Sequence, residues 1–194
     1  MQNPGNAARY TGTAIALHWI IAVLFIFMLG LGLYMSDLPN SDPYKFPIFQ
    51  LHKSIGITIL ALVIVRMLWR ALHTPPALPT HMNGFERVAA HFTHYGLYAA
   101  LIIMPFTGWA IVSTSKLNLP TYIFNLFTLP PLAFLGASEQ KAAIHEASES
   151  IHSTVAWIAI ALIALHFLGA LKHQIIDRDD VLKRMLPGFK GNKE

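Results

Sequence analysis

The 194-residue chain contains no cysteine at all. That excludes disulfides, iron–sulfur clusters, thiolate zinc sites and covalent haem attachment through CxxCH motifs, so any redox cofactor must be held by other ligands. Charge is also scarce. Only 12% of residues are charged while 54% are hydrophobic, a balance too apolar for a soluble domain of this length. The formal net charge of +4 would suggest nucleic acid in a soluble protein, but the basic residues stand beside apolar runs and read as topology signals. A nucleic-acid partner is therefore set aside in favour of membrane lipid. Arg9 alone precedes the first apolar run and no small-residue cleavage pattern follows it, so a retained signal-anchor is expected in place of a cleaved leader.

Four runs are long enough to cross a hydrocarbon core of about 30 Å, which takes about 20 helical residues. They lie near 14–35, 51–68, 94–113 and 153–171. Between them stand proline clusters that mark loops: Pro39 and Pro43, then Pro75, Pro76 and Pro79, then Pro120, Pro130 and Pro131. The fold class is thus all-α, a four-helix transmembrane bundle, and residues 1–194 are read as one membrane domain. Of the fourteen basic residues, ten collect on one side: Arg9, Arg66, Arg70, Arg87, Lys172, Arg178, Lys183, Arg184, Lys190 and Lys193. Lys45, Lys53, Lys116 and Lys141 fall on the other. An excess of Lys and Arg marks the cytoplasmic side, which predicts cytoplasmic N- and C-termini in a multi-pass membrane protein. The outer segment from Lys116 to Gly136 is apolar and aromatic and is read as a lid lying along the interface, with a water-filled loop as the alternative. From Ser138 to Ser150 no breaker separates a polar, helix-favouring stretch from the fourth span, so that helix is expected to project beyond the membrane.

Ionisable residues inside a bilayer are costly and usually functional. The spans carry no carboxylate, which counts against a metal or proton transporter, yet they carry His18, His52, His94, His152 and His166. His152 and His166 are 14 residues apart, nearly four turns, and so share one helix face about 21 Å apart along the axis. His18 matches His166 in depth at the cytoplasmic side. His52, read as opening the second helix, matches His152 at the outer side. Two stacked histidine pairs are what two haems with axial nitrogen ligands require. Gly56, one turn beyond His52, and Gly169, three residues after His166, are candidate points of close porphyrin approach, although glycines also serve helix packing. His94 competes with His18 for the inner position; a contact to a propionate or a neighbouring helix is the alternative. His145 and His173 continue the stripe of the fourth helix and are assigned to its surface, and His73 and His81 to solvent.

These residues resemble the prokaryotic cytochrome b561 family over nearly the whole chain. The likeness rests on four blocks: Ala16-Leu17-His18-Trp19; Leu51-His52-Lys53-Ser54-Ile55-Gly56 leading to Arg66 and Arg70; Ala90-His91 to His94-Tyr95-Gly96-Leu97-Tyr98; and Ile151-His152 through His166 and His173 to Arg184-Met185-Leu186-Pro187. The resemblance implies two non-covalent haem b groups with His18, His52, His152 and His166 as iron ligands, which agrees with the matching of depths. It also implies quinone chemistry, and one form of it is a superoxide:ubiquinone oxidoreductase fed by superoxide on the periplasmic side. Lys53 and Lys45 offer an anionic donor a cationic patch, or else act as snorkelling anchors. Glu139, Glu146 and Glu149 would oppose anion steering if they fold over the site. A redox protein is the other donor expected. His91, His94, His173, Arg66 and Arg70 are candidates for an inner quinone or propionate site, histidine being the side chain best suited to supply protons near neutral pH. The competing reading is a haem-bearing membrane anchor subunit of a larger dehydrogenase complex.

Overall fold

A computed structural model describes residues 9–188; Lys190 and Lys193 of the basic set lie outside them. Four long helices dominate: α1 (Gly12–Asp37), α2 (Lys45–Leu72), α3 (Gly84–Thr114) and α5 (Lys141–Lys172). All four are long and apolar enough to cross a membrane. Between α3 and α5 stand an antiparallel hairpin, β1 (Thr121–Ile123) and β2 (Phe127–Leu129), and the short helix α4 (Ala133–Gly136).

Each helix outruns the apolar stretch that announced it, because hydropathy marks the lipid-embedded part while capping chemistry marks the start. The Thr11 hydroxyl caps α1 by accepting from the Ala14 N–H. Asn83 and Glu86 close a reciprocal capping box on α3. Pro47 sits in the first turn of α2, where a missing N–H costs nothing. One expectation is corrected in consequence: His52 does not open the second helix but lies about two turns inside it, since the chain is already helical from Lys45. As expected, the polar stretch before the fourth span is continuous with it, and α5 begins eleven residues before His152.

α1 packs on α2, and α3 packs most extensively on α5. The shared core runs through Ile21, Phe25 and Met28 of α1, Ile55, Ile59 and Val63 of α2, Ala100 and Leu101 of α3, and Ala159 of α5. At Gly96 the α3–α5 approach is so close that a Cβ would stand 2.8 Å from Cδ1 of Leu162. Large apolar side chains such as Val23, Ile26, Leu68, Trp157 and Leu168 point outward along the spans. For a helix bundle with lipid as its solvent this is the expected distribution.

The segment after α3 folds as the β1–β2 hairpin and α4, and polar bonds from α2 hold the hairpin. Gln50 Nε2 donates to the Pro120 carbonyl at 2.9 Å, and the Phe124 N–H donates to the Ser54 hydroxyl at 3.0 Å. Trp109 Nε1 and Ser113 Oγ of α3 bind the backbone of Pro130 and Leu132 on the other side. The tip of the hairpin turns through left-handed Phe124 and Asn125 and leaves Leu126 and Phe127 exposed.

Candidate functional site

The histidines gather into two groups at opposite ends of the bundle. Toward the hairpin, the rings of His52 (α2) and His152 (α5) have centroids 6.3 Å apart. Toward the end where α1 begins and α5 finishes, His18 (α1) and His166 (α5) stand 6.1 Å apart. His94 (α3) joins this second group, with its ring 5.1 Å from that of His166. The pairing of depths inferred along the sequence is thus the pairing found in space, with a third histidine, His94, beside the His18–His166 pair.

The hairpin-end pair opens on a cavity of about 230 Å³ lined by His52, His152, Lys53, Gly56, Gly108 and Glu149 among others, with Thr121 and Leu129 of the hairpin on its wall. Gly56 lines this cavity on the His52 face of α2. At Gly169 a Cβ would meet no protein atom within 4 Å among the described residues, so the space beside His166 is open there. Two glycines that the sequence did not single out lie against the rings of this pair. A Cβ on Gly32 would be 3.5 Å from Cε1 of His52, and one on Gly108 would be 3.4 Å from Cε1 of His152. No spacing rule could have found them, since each sits on a different helix from the histidine it meets.

His152 is oriented by Thr107. The Thr107 hydroxyl lies 2.8 Å from the Ile103 carbonyl and 2.9 Å from Nδ1 of His152. A hydroxyl has one proton; given to Ile103, it leaves Thr107 an acceptor, so that Nδ1 carries the ring proton and Nε2 is free. His52 differs, as its buried Nδ1 has no partner among the described residues.

Charges nearby are tied to backbone. Lys53 donates to the Pro120 carbonyl at 3.1 Å, and Lys45 binds the Leu38 carbonyl and the Asn40 side chain. Both lysines hold loops, and Glu149 shares the cavity with Lys53. Glu149 also meets Nε2 of His145, whose Nδ1 lies near the Ile111 carbonyl and the Thr114 hydroxyl.

At the other end the five residues expected around a quinone or propionate divide. Arg66 donates from Nη1 to the Ala14 carbonyl at 2.7 Å and from Nε to the Tyr98 hydroxyl at 3.1 Å, and Arg70 lies over the same tyrosine ring. Both arginines line a small cavity of about 50 Å³ with Trp69 and His73. His94 is at His166, and His91 stacks on Tyr95. His173 stands apart, and it corrects an expectation: placed at the surface by its position beyond the apolar core, it is only 8% exposed. The turn that ends α5 folds Asp177 and Asp179 back over it, at 3.1 and 2.8 Å from its Nδ1. Burial pushes the Asp179 carboxyl up, but the Val181 N–H and the His173 ring outweigh it and hold the group below the usual carboxylate range. His81, assigned to solvent, is exposed yet contacts Asp179 at 3.1 Å.

The family model for prokaryotic cytochrome b561 matches residues 9–188. The chain is 35% identical to cytochrome b561 homolog 2 of Escherichia coli over 179 residues, covering 92% of this chain and 91% of that protein. It is 29% identical to cytochrome b561 homolog 1 of the same organism, covering 92% and 97%. Against a Yersinia pestis protein described as a probable superoxide oxidase, CybB, identity is 27% with 94% and 98% covered.

Proposed function

The chain belongs to the prokaryotic cytochrome b561 family, multi-pass haem b electron-transfer proteins of the bacterial inner membrane, and from that premise we propose that it binds two haems and links a periplasmic electron donor to ubiquinone. His52 and His152 hold one haem and His18 and His166 the other, in a single membrane domain with both termini cytoplasmic. The observation that carries this reading is the ring spacing of the two pairs, 6.3 and 6.1 Å. Two iron–nitrogen bonds of about 2 Å each, plus about 1 Å from each nitrogen to its ring centre, make about 6 Å. The His94–His166 spacing of 5.1 Å falls short of that sum, which favours His18 as the inner ligand and leaves His94 as its neighbour. The cavity at His52 and His152, with Gly56 and Gly108 on its wall and Gly32 against the His52 ring, supports the outer site.

When bound, haem supplies one-electron redox chemistry that no side chain here provides. The protein's part is to hold and tune. Thr107 fixes the tautomer of His152, and the hairpin, strapped to Gln50 and Ser54, covers the outer cavity against water and bulky reactants. Arg66 and Arg70 place fixed positive charge near the inner pair, suited to a propionate or to the head of a quinone, and His91 and His94 are the titratable groups on that side. On the donor side Lys53 and Glu149 offset one another, so a small donor such as superoxide gains little net attraction from this pair. The resemblance of the chain to a probable superoxide oxidase supports superoxide as the donor over a redox protein.

The deciding experiment is a dithionite-reduced minus air-oxidised spectrum of the detergent-purified protein, with haem counted per chain. Two b haems are expected in the parent and one in each of His52→Ala and His166→Ala. A parent with a single haem would sink the two-site reading. Ubiquinone reduction in proteoliposomes, driven by enzymatically generated superoxide, then tests donor and acceptor together.

A further inference from the structure

Away from both haem positions, four side chains converge beside the end of α5. They are His81, from the connection between α2 and α3, and His173, Asp177 and Asp179, and their ligand atoms all lie within 4.8 Å of one another. Nδ1 of His173 is 3.1 Å from Oδ2 of Asp177 and 2.8 Å from Oδ2 of Asp179, and Nε2 of His81 is 3.1 Å from the same Asp179 oxygen. The backbone builds this convergence. Residues His173–Asp177 form a π-helical turn, Arg178 takes the left-handed conformation at φ 53°, and the Asp179 N–H returns to the His173 carbonyl at 3.1 Å. A π turn inserted at a helix end is a recurrent mark of a functional site.

The carboxylates are oriented from behind. The Val181 N–H donates to Oδ1 of Asp179 at 2.9 Å, which leaves Oδ2 turned toward the two imidazoles. Lys172 donates to both oxygens of Asp177, at 2.9 and 2.7 Å, and meets Oε1 of Glu86 at 2.7 Å. Outer partners of this kind are what fix carboxylate ligands of a metal. Charge points the same way. Glu86, Asp177 and Asp179 are opposed by Lys172 alone within the cluster, so with neutral histidines two negative charges remain uncompensated. Either two imidazolium protons or one dication would balance them.

We propose that His81, His173, Asp177 and Asp179 form a binding site for a divalent transition-metal ion of the zinc class. Two imidazole nitrogens with two carboxylate oxygens make a tetrahedral set that suits Zn²⁺, whereas Mg²⁺ and Ca²⁺ prefer oxygen alone. Ligand bonds of about 2 Å place tetrahedral donors roughly 3.3 Å apart. The short contacts of 2.8–3.1 Å bracket that value from below and the 4.8 Å limit from above, so side-chain rotations suffice to seat the ion. A bound ion would staple the α2–α3 connection to the segment after α5. It would also withdraw His173 from any role toward quinone. The inference does not depend on how the haems are ligated.

The test uses the haem-loaded protein, stripped with EDTA, desalted, and titrated with zinc chloride by calorimetry. Zinc-edge X-ray absorption then reads the coordination without interference from haem iron. One zinc per chain is expected, in an all N/O shell with two imidazoles. Binding should weaken at least about 30-fold in His81→Asn and in Asp179→Asn, with haem content unchanged. His81 is exposed, so its variant keeps the test intact even where Asp179→Asn fails to fold. No stoichiometric zinc below about 1 mM would overturn the proposal. So would unchanged affinity in His81→Asn, which would show adventitious zinc on other histidines.

Discussion

The hydroxyl of Thr107 stands 2.9 Å from Nδ1 of His152, on the neighbouring helix, while the equivalent nitrogen of His52 is buried without a partner among the described residues. The two proposed ligands of one haem are thus held unequally. A ring nitrogen that donates a hydrogen bond makes the other nitrogen a stronger base, which favours the oxidised metal. Thr107→Val keeps the shape and removes the acceptor. Redox titration of the variant should show the hairpin-side haem shifted upward, by roughly 59 mV for each tenfold change in relative affinity, with the other haem unmoved. Equal shifts in both haems, or none, would show that the contact does not tune the site.

The three histidines at the inner end give a sharper division of roles. His18 lies 6.1 Å from His166, and His94 lies 5.1 Å from it. His18→Ala is expected to lose one of two haems, and His94→Ala to keep both, with a change confined to quinone reactivity or to the position of one absorbance band. If His94→Ala lost a haem and His18→Ala did not, the ligand assignment would exchange the two residues.

Gly32 and Gly108 predict selective loss at the other end. A Cβ at either is already in contact with a ligand ring, at 3.5 and 3.4 Å, and larger groups must displace that ring. Gly32→Val and Gly108→Val should each lower occupancy of the His52–His152 haem by more than half while the inner haem stays near one per chain. Gly169→Ala meets no protein atom among the described residues, so loss of the His18–His166 haem in that variant would mean that the haem itself lies against Gly169, and retention of both haems that it does not.

What the sequence disclosed and what it withheld follows a physical line. Hydropathy and histidine depth are properties of single helices, so the four spans and the pairs His18–His166 and His52–His152 could be read directly. Gly56 was legible for the same reason, lying one turn from His52 on one face. Gly32, Gly108 and Thr107 act across helix interfaces, and their contacts depend on helix rotation, which one sequence does not encode visibly. The start of α2 was misplaced because Lys45 to Gln50 is helical without being strongly apolar. His173 was assigned to the surface because the π turn that folds Asp177 and Asp179 over it has no signature in hydrophobic periodicity.

Ser54 is the hinge of the lid. It is 2% exposed, its hydroxyl accepts from the Phe124 N–H at 3.0 Å, and the carbonyls of Gln50 and Tyr122 lie within donor reach at 2.8 and 3.0 Å. Ser54→Ala removes this bridge and leaves the half-exposed Phe124 N–H without its acceptor, at a cost of about 0.5–1.5 kcal/mol. Gln50 Nε2 would still hold Pro120, so the hairpin should loosen without detaching. Hydrogen–deuterium exchange at residues 121–129 should then quicken, by about tenfold for the first 1.4 kcal/mol of local stability lost, while exchange in α3 and α5 stays unchanged. If the lid limits access to the outer cavity, oxidation of the reduced protein by a bulky soluble acceptor should accelerate in the same variant and oxidation by a small one should not. Acceleration for both alike would mean that the hairpin is a structural strap and no barrier to reactants.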